Sequence, residues 1–149
     1  MKGFGLIEIV IVTAIVSVAL FAFSQAGALS LRLLRNEKEN LEMTLLAQEA
    51  LEAARAVRDE SCGNIAWRTE PPLASPSLPY YPEIANGKWT LATTSPGPVD
   101  AKYSRFVIFE KVSRDSSDRI VSSGGTNDPQ TRKVITRASS TGRTIELVS

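Results

Sequence analysis

Glu8 is the residue that asks for a chemical explanation. From Phe4 to Phe23 the sequence reads FGLIEIVIVTAIVSVALFAF, apolar except for Glu8, Thr13 and Ser17. An acidic side chain placed in an apolar span costs about 2.5–3.5 kcal/mol on insertion scales, so such groups are partnered and functional. Other reactive groups are few. The chain has no histidine, which removes the commonest general base and metal ligand at neutral pH. Its single cysteine, Cys62, excludes an intramolecular disulfide and any cysteine-based metal cluster, and reads as a small residue at a helix end. No glycine-rich phosphate loop, nucleophile elbow or acid and base pair stands out, so neither an enzyme nor a cofactor is expected.

Two further constellations bear on binding. Asp115, Asp118 and Asp128 lie in turn-rich stretches and are weak candidate oxygen ligands for calcium, without the ordered spacing of an EF-hand. Arg132, Lys133, Arg137 and Arg143 form a basic run that would suit DNA, although their alternation with apolar residues equally describes a solvated sheet face. Globally the charges nearly cancel, 17 Lys and Arg against 16 Asp and Glu, so net charge argues for no polyanionic partner.

Several settings would accommodate Glu8. A secretory signal peptide would use Lys2 as its basic end and Ala26-Gly27-Ala28 as its cleavage site, but its apolar core should be shorter and free of a carboxylate. A plain single-pass anchor would tolerate Glu8 near the membrane edge. A buried soluble helix would need a larger enclosing domain than 149 residues leave room for.

The spacing around Glu8 supports a fourth setting. Lys2-Gly3-Phe4-Gly5-Leu6-Ile7-Glu8 resembles the type III signal sequence of type IV pilins and type II secretion pseudopilins: a short basic leader, Gly, Phe, and Glu as the fifth residue after the cut. The resemblance implies cleavage between Gly3 and Phe4 by a prepilin peptidase, N-methylation of Phe4, and assembly into a filament. Glu8 would there meet the terminal ammonium of a neighbouring subunit, relieving two charges in an apolar core. The C-terminal cysteine pair of many major pilins is absent, as is their helix-breaking Gly and Pro pair, Gly27 being the one soft point. These departures favour a pseudopilin, a minor pilin or a pilin without the disulfide.

The elements that would hold these residues follow from pattern. Leu29 to Asp59 is rich in Leu, Ala, Glu and Arg and free of Gly and Pro, so the helix should continue past the apolar span to about Asp59. At 1.5 Å per residue that is roughly 80 Å. An apolar stripe through Leu34, Leu41, Leu45 or Leu46, Ala50, Ala53 and Val57 is expected to face a sheet. Glu37, Lys38, Glu42, Glu49 and Arg58 are expected to face solvent, with Arg55 and Asp59 spaced to pair. Ser61-Cys62-Gly63-Asn64 should end the helix. Five prolines between Glu70 and Pro82 mark an extended connector lying over the globular head; the alternative is an exposed surface loop in which Tyr80 and Tyr81 could contact a partner.

Strand-like runs follow at Lys88 to Thr93, Tyr103 to Val112, Lys133 to Ala138 and Thr144 to Val148, with a hairpin turn at Ser140-Thr141-Gly142. Their short links require antiparallel pairing. Phe106, Ile108 and Val112 are expected against the helix, and Val107 and Phe109 on the other face.

The expected fold is therefore α+β, a long N-terminal helix on a small antiparallel sheet. Its segments are a leader (1–3), a transmembrane or filament-core helix (4–28), an amphipathic half (29–62), a Pro-rich connector (63–87) and a sheet head (88–149). The resemblance implies a structural subunit whose partners are further copies, the peptidase, an inner-membrane assembly platform and the inner membrane itself. It also implies a precursor with a cytoplasmic N-terminus and an extracytoplasmic filament afterwards. The alternative is a single-pass anchored extracytoplasmic binding domain.

Overall fold

The computed structural model describes residues 5–60 and 78–149. Gly3, Phe4, Cys62 and the connector prolines Pro71, Pro72 and Pro76 lie outside the described residues, as does the expected cap at Gly63 or Asn64. One long helix, α1 (Leu6–Glu60), precedes six strands: β1 (Tyr81–Ala85), β2 (Lys88–Ala92), β3 (Ser104–Arg114), β4 (Ile120–Val121), β5 (Thr126–Ser140) and β6 (Arg143–Val148). β1 and β2 form a two-stranded sheet, and the other strands form a four-stranded sheet in the order β4-β3-β5-β6. Every pairing is antiparallel. The fold is the expected α+β arrangement of one long N-terminal helix packed against antiparallel sheets, an architecture of the pilin type.

α1 contains no proline and one glycine, Gly27, so nothing in its sequence interrupts the hydrogen-bond ladder. The chain divides into two compact units, Met1–Asn40 and Leu41–Ser149. In the first, residues 5–38 are all exposed in the single chain, and the helix is long and apolar enough to cross a membrane by length and composition. Its hydroxyl side chains are satisfied within the helix. Thr13 donates to the Val10 carbonyl at 3.0 Å, Ser17 to Thr13 at 2.7 Å and Ser24 to Leu20 at 2.9 Å.

In the second unit, the helix seam is built from Met43, Ala47, Ala50, Ala54 and Val57, spaced alternately four and three residues apart and all buried. Ala50, Ala54 and Val57 pack with Tyr80, Val107 and Phe109; Met43 and Ala47 pack with Tyr103 and Ala138. The expected stripe holds at Ala50, Ala53 and Val57, which are buried, and at Leu46, which packs against the Met43 and Ala47 cluster; it is corrected at Leu34, Leu41 and Leu45, which are exposed. Without bulk beyond Cβ, alanines let the helix backbone approach the strands, and larger residues on the sheet side fill the space.

The faces of β3 are also the reverse of the expectation. Val107 and Phe109 meet the helix, and Phe106 and Ile108 alternate to the far face, where Phe106 lies against Tyr81. Register explains the choice. Phe106 pairs with Arg137, Ile108 with Ile135 and Glu110 with Lys133, so the far face carries Arg137, Glu110 and Lys133. On the near face Val107 pairs with Thr136 and Phe109 with Val134.

Two of the five polar helix residues assigned to solvent instead turn to the sheet. Glu42 accepts from the Tyr103 hydroxyl and Glu49 pairs with Arg105; Glu60 pairs with Lys88. Spacings of seven and eleven residues set the three carboxylates on one flank of α1, beside the seam, where they peg the helix against the strands. The Glu42 carboxylate pushes the Tyr103 phenol upward, and Glu60 does the same for the Lys88 ammonium. Arg55 pairs with Glu52, and Asp59 with Arg58, rather than with each other.

Strand limits differ from the sequence reading at two places. The sheet begins at Tyr81 because Asn86 (φ 54°) and Gly87 (φ 75°) form a tight two-residue turn that folds Tyr81–Ala85 onto Lys88–Ala92. Pro82 is tolerated because a two-stranded sheet has only edges. β5 begins at Thr126, seven residues early, since a bulge opposite Lys111 and Val112 absorbs Pro129 to Thr131. The Thr141-Gly142 hairpin turn is as expected, with Ser140 opposite Arg143 and Gly142 at φ 78°.

Candidate functional site

Glu8 lies in the first turn of α1, where its backbone N–H donates to the Gly5 carbonyl at 2.9 Å. Negative charge there is favoured by the helix dipole, which partly offsets placing it in an apolar segment. Between Leu6 and Leu31 it is the only ionisable residue. Around it Leu6, Ile7, Ile9, Val10, Ile11 and Val12 are all more than half exposed. The serines and threonine downstream donate their O–H to carbonyls of the preceding turn, but a carboxylate has no hydrogen to give. What Glu8 presents is an acceptor-only group on an apolar rod, suited to a cation delivered in an apolar setting. Its expected companions, Gly3 and Phe4, lie outside the described residues.

The three candidate aspartates do not converge, and Asp128 lies in β5 rather than in a loop. Asp115 accepts from the backbone N–H groups of Ser117 and Arg119, each at 2.9 Å, and from the Arg119 guanidinium; these bonds hold its carboxyl below the ordinary range and close the β3–β4 turn. Asp128 takes the Thr131 hydroxyl at 2.6 Å, Arg114 at 2.8 Å and the Gln130 N–H at 2.8 Å, which together pull it far below the usual carboxylate range. Asp118, at φ 61°, gives its carbonyl to Arg114 and keeps its carboxylate 3.6 Å from the same guanidinium. Arg114 thus occupies the position between Asp118 and Asp128 that a shared cation would need. Among the described residues no group of three acidic side chains is placed to hold a metal ion. A Cβ on Gly125 would come 2.6 Å from the Arg114 carbonyl, so the β4–β5 link passes this cluster only as glycine.

The four basic residues each have partners within the chain. Lys133 pairs with Glu110 at 3.0 Å and Arg137 with Glu146 at 2.6 Å, each across its own register pair. Arg132 donates to the carbonyls of Asp128 and Thr131. Arg143 also has a partner.

The pegging contacts Glu49 to Arg105 and Glu42 to Tyr103 escaped the sequence reading because no local spacing links residues 56 and 61 positions apart. The hairpin at Asn86-Gly87 was also missed, placed in the connector, although that dipeptide between β-prone residues is a strong turn signal. Comparison with family models, with curated proteins and with solved structures finds no match to this chain.

Proposed function

We propose that this chain is a structural subunit of a pilus-like filament, a pilin, minor pilin or pseudopilin, and not an enzyme. In this reading a prepilin peptidase cuts between Gly3 and Phe4 and the new Phe4 amine is methylated. The precursor waits in the inner membrane with its N-terminus in the cytoplasm. An assembly platform then draws subunits out of the membrane, and the apolar helices pack with one another outside it.

The observation that carries the proposal is Glu8, alone in a long apolar helix that leads into an amphipathic half seated on an antiparallel sheet. A lone carboxylate is costly in lipid and equally costly in a filament core. The amine of a neighbouring Phe4 removes that cost for both charges if they meet inside the core, and it registers one helix against the next. The pilin-like architecture, which the sequence motif implied, supports the same reading.

The test is a pair of variants, Glu8→Gln and Glu8→Ala, expressed with the assembly machinery. The expected outcome is normal membrane insertion with filament incorporation reduced at least tenfold, roughly the effect of losing one charge-assisted bond in an apolar setting. Normal filaments from both variants would remove Glu8 from the mechanism.

A further inference from the structure

Just past its apolar span, α1 carries bases at Arg32, Arg35 and Lys38 and acids at Glu37, Glu39 and Glu42, so the basic block leads the acidic block by about one helical turn. Arg32, Arg35 and Glu37 are exposed, and among the described residues none of the three has a hydrogen-bond or ion-pair partner. Arg35 and Glu39 are one turn apart, yet Arg35 does not take that carboxylate within its own helix. The order is the reason: a base ahead of its acid sets both charges against the helix dipole and makes the weaker pair. Lys38, Glu39 and Glu42 do have contacts within the chain, and Glu42 holds the Tyr103 hydroxyl.

A second copy of the helix alongside, in parallel, sees this order differently at each displacement. In exact register every charge faces its own kind. A slip of three residues repeats the fault, with Arg32 beside Arg35 and Arg35 beside Lys38. A slip of four sets Arg35 beside Glu39 and Lys38 beside Glu42, and no like pair arises. Four is also the displacement that brings the Phe4 amine of one copy beside Glu8 of the next, in the same direction, base leading acid. The two ends of the exposed rod therefore ask for the same stagger.

We infer that the Arg32 to Glu39 stretch of α1 is an interface with a second copy of this chain, in which Arg35 of one helix pairs with Glu39 of the next, displaced by four residues or about 6 Å. The inference rests on the filament reading and deepens it. Its contribution is register more than strength. One wet ion pair adds little affinity, but like charges side by side penalise each wrong stagger at every subunit contact. The apolar span cannot make that choice alone, because aliphatic side chains at nearly every position pack comparably at many displacements; flanking charges commonly set register between packed helices.

The test uses the full chain expressed with the assembly machinery, with cleavage after Gly3 and filament yield read separately. Arg35→Glu sets acid against Glu39 of the next copy, and Glu39→Arg sets base against Arg35. Each variant alone is expected to be cut normally yet to lower filament yield about tenfold. Expressed together they should restore the yield, because each supplies the charge the other lacks, which a contact within one chain cannot do. Arg35→Lys should assemble, and zero-length carbodiimide coupling should join its amine to Glu39 of another copy, giving cross-linked dimers. Full yield from either charge reversal, no recovery on co-expression, or coupling confined to single chains overturns the proposal. Loss of membrane insertion or of cleavage in Arg35→Glu does so too, and moves the arginine to the lipid headgroups. A wild-type chain that is cut and never polymerises removes the filament reading itself, and this contact falls with it.

Discussion

Arg105 on β3 pairs with Glu49 on α1 while its guanidinium lies 5.8 Å from the centre of the Trp89 ring. One side chain therefore ties the helix, the four-stranded sheet and the β1–β2 hairpin together. Its own side chain is 14% exposed and that of Glu49 43%. Replacing Arg105 with alanine removes the ion pair, the ring contact and the packing of the aliphatic stem, and should cost about 2 kcal/mol. Glu49→Ala should cost about 1 kcal/mol, since the pair is partly wet. Denaturant unfolding of the two single variants and the double variant checks both numbers and yields a coupling energy near 1 kcal/mol.

Thr136 is fully buried at the helix-facing side of β5, and its hydroxyl has no hydrogen-bond partner. A buried, unsatisfied hydroxyl is destabilising, whereas a methyl of similar shape is not. Thr136→Val should stabilise the chain by about 1 kcal/mol, read as an increase in the denaturant midpoint with unchanged slope.

Asp100 (φ 51°) and Ala101 (φ 54°) form the tight turn that returns Val99 to Tyr103. Ala101 has neither the freedom of glycine nor a polar side chain to compensate a left-handed backbone. Ala101→Gly should raise stability by about 0.5–1 kcal/mol by relieving that strain, with Tyr103 still in place as judged by its fluorescence.

Asp128 and Asp115 are both held below the ordinary carboxylate range by the hydrogen bonds described above. A carboxyl depressed in the folded state stabilises above its unfolded pKa, about 3.9, and that stability drains away as pH falls through the folded value. Unfolding temperature should therefore be flat from pH 7 to about 5 and fall below about 4. Asp128→Asn should be less stable at pH 7 and show a shallower acid decline; an identical decline would mean that other carboxyls set it.

The helix, its amphipathic continuation and the antiparallel order were legible in the sequence because they depend on local pattern: no breaker between Gly27 and Glu60, and strands separated by short turns. The assignment of faces was not read correctly. Phe106 to Phe109 is apolar at every position, so β3 alone offers no winner; Lys133 and Arg137 on β5, together with Glu110 on β3, already marked the outward set. The helix stripe was legible at Ala50, Ala53 and Val57 but not among its leucines, because which of Leu34, Leu41, Leu45 and Leu46 meets a strand is visible only once that strand is in place. Asp128 could be read as a turn residue but not as the anchor of a bulge, which depends on Arg114 fourteen residues away. Glu8, by contrast, stood out at once, because its anomaly is one of composition.

The most direct test of the central claim is the mass of the N-terminal peptide of the native protein. Cleavage after Gly3 with methylation of the new amine predicts a peptide that begins at Phe4 and carries one extra methyl group. A peptide beginning at intact Met1, or one beginning at Leu29, would contradict the filament-subunit account: the first leaves a plain membrane anchor, the second a secreted domain.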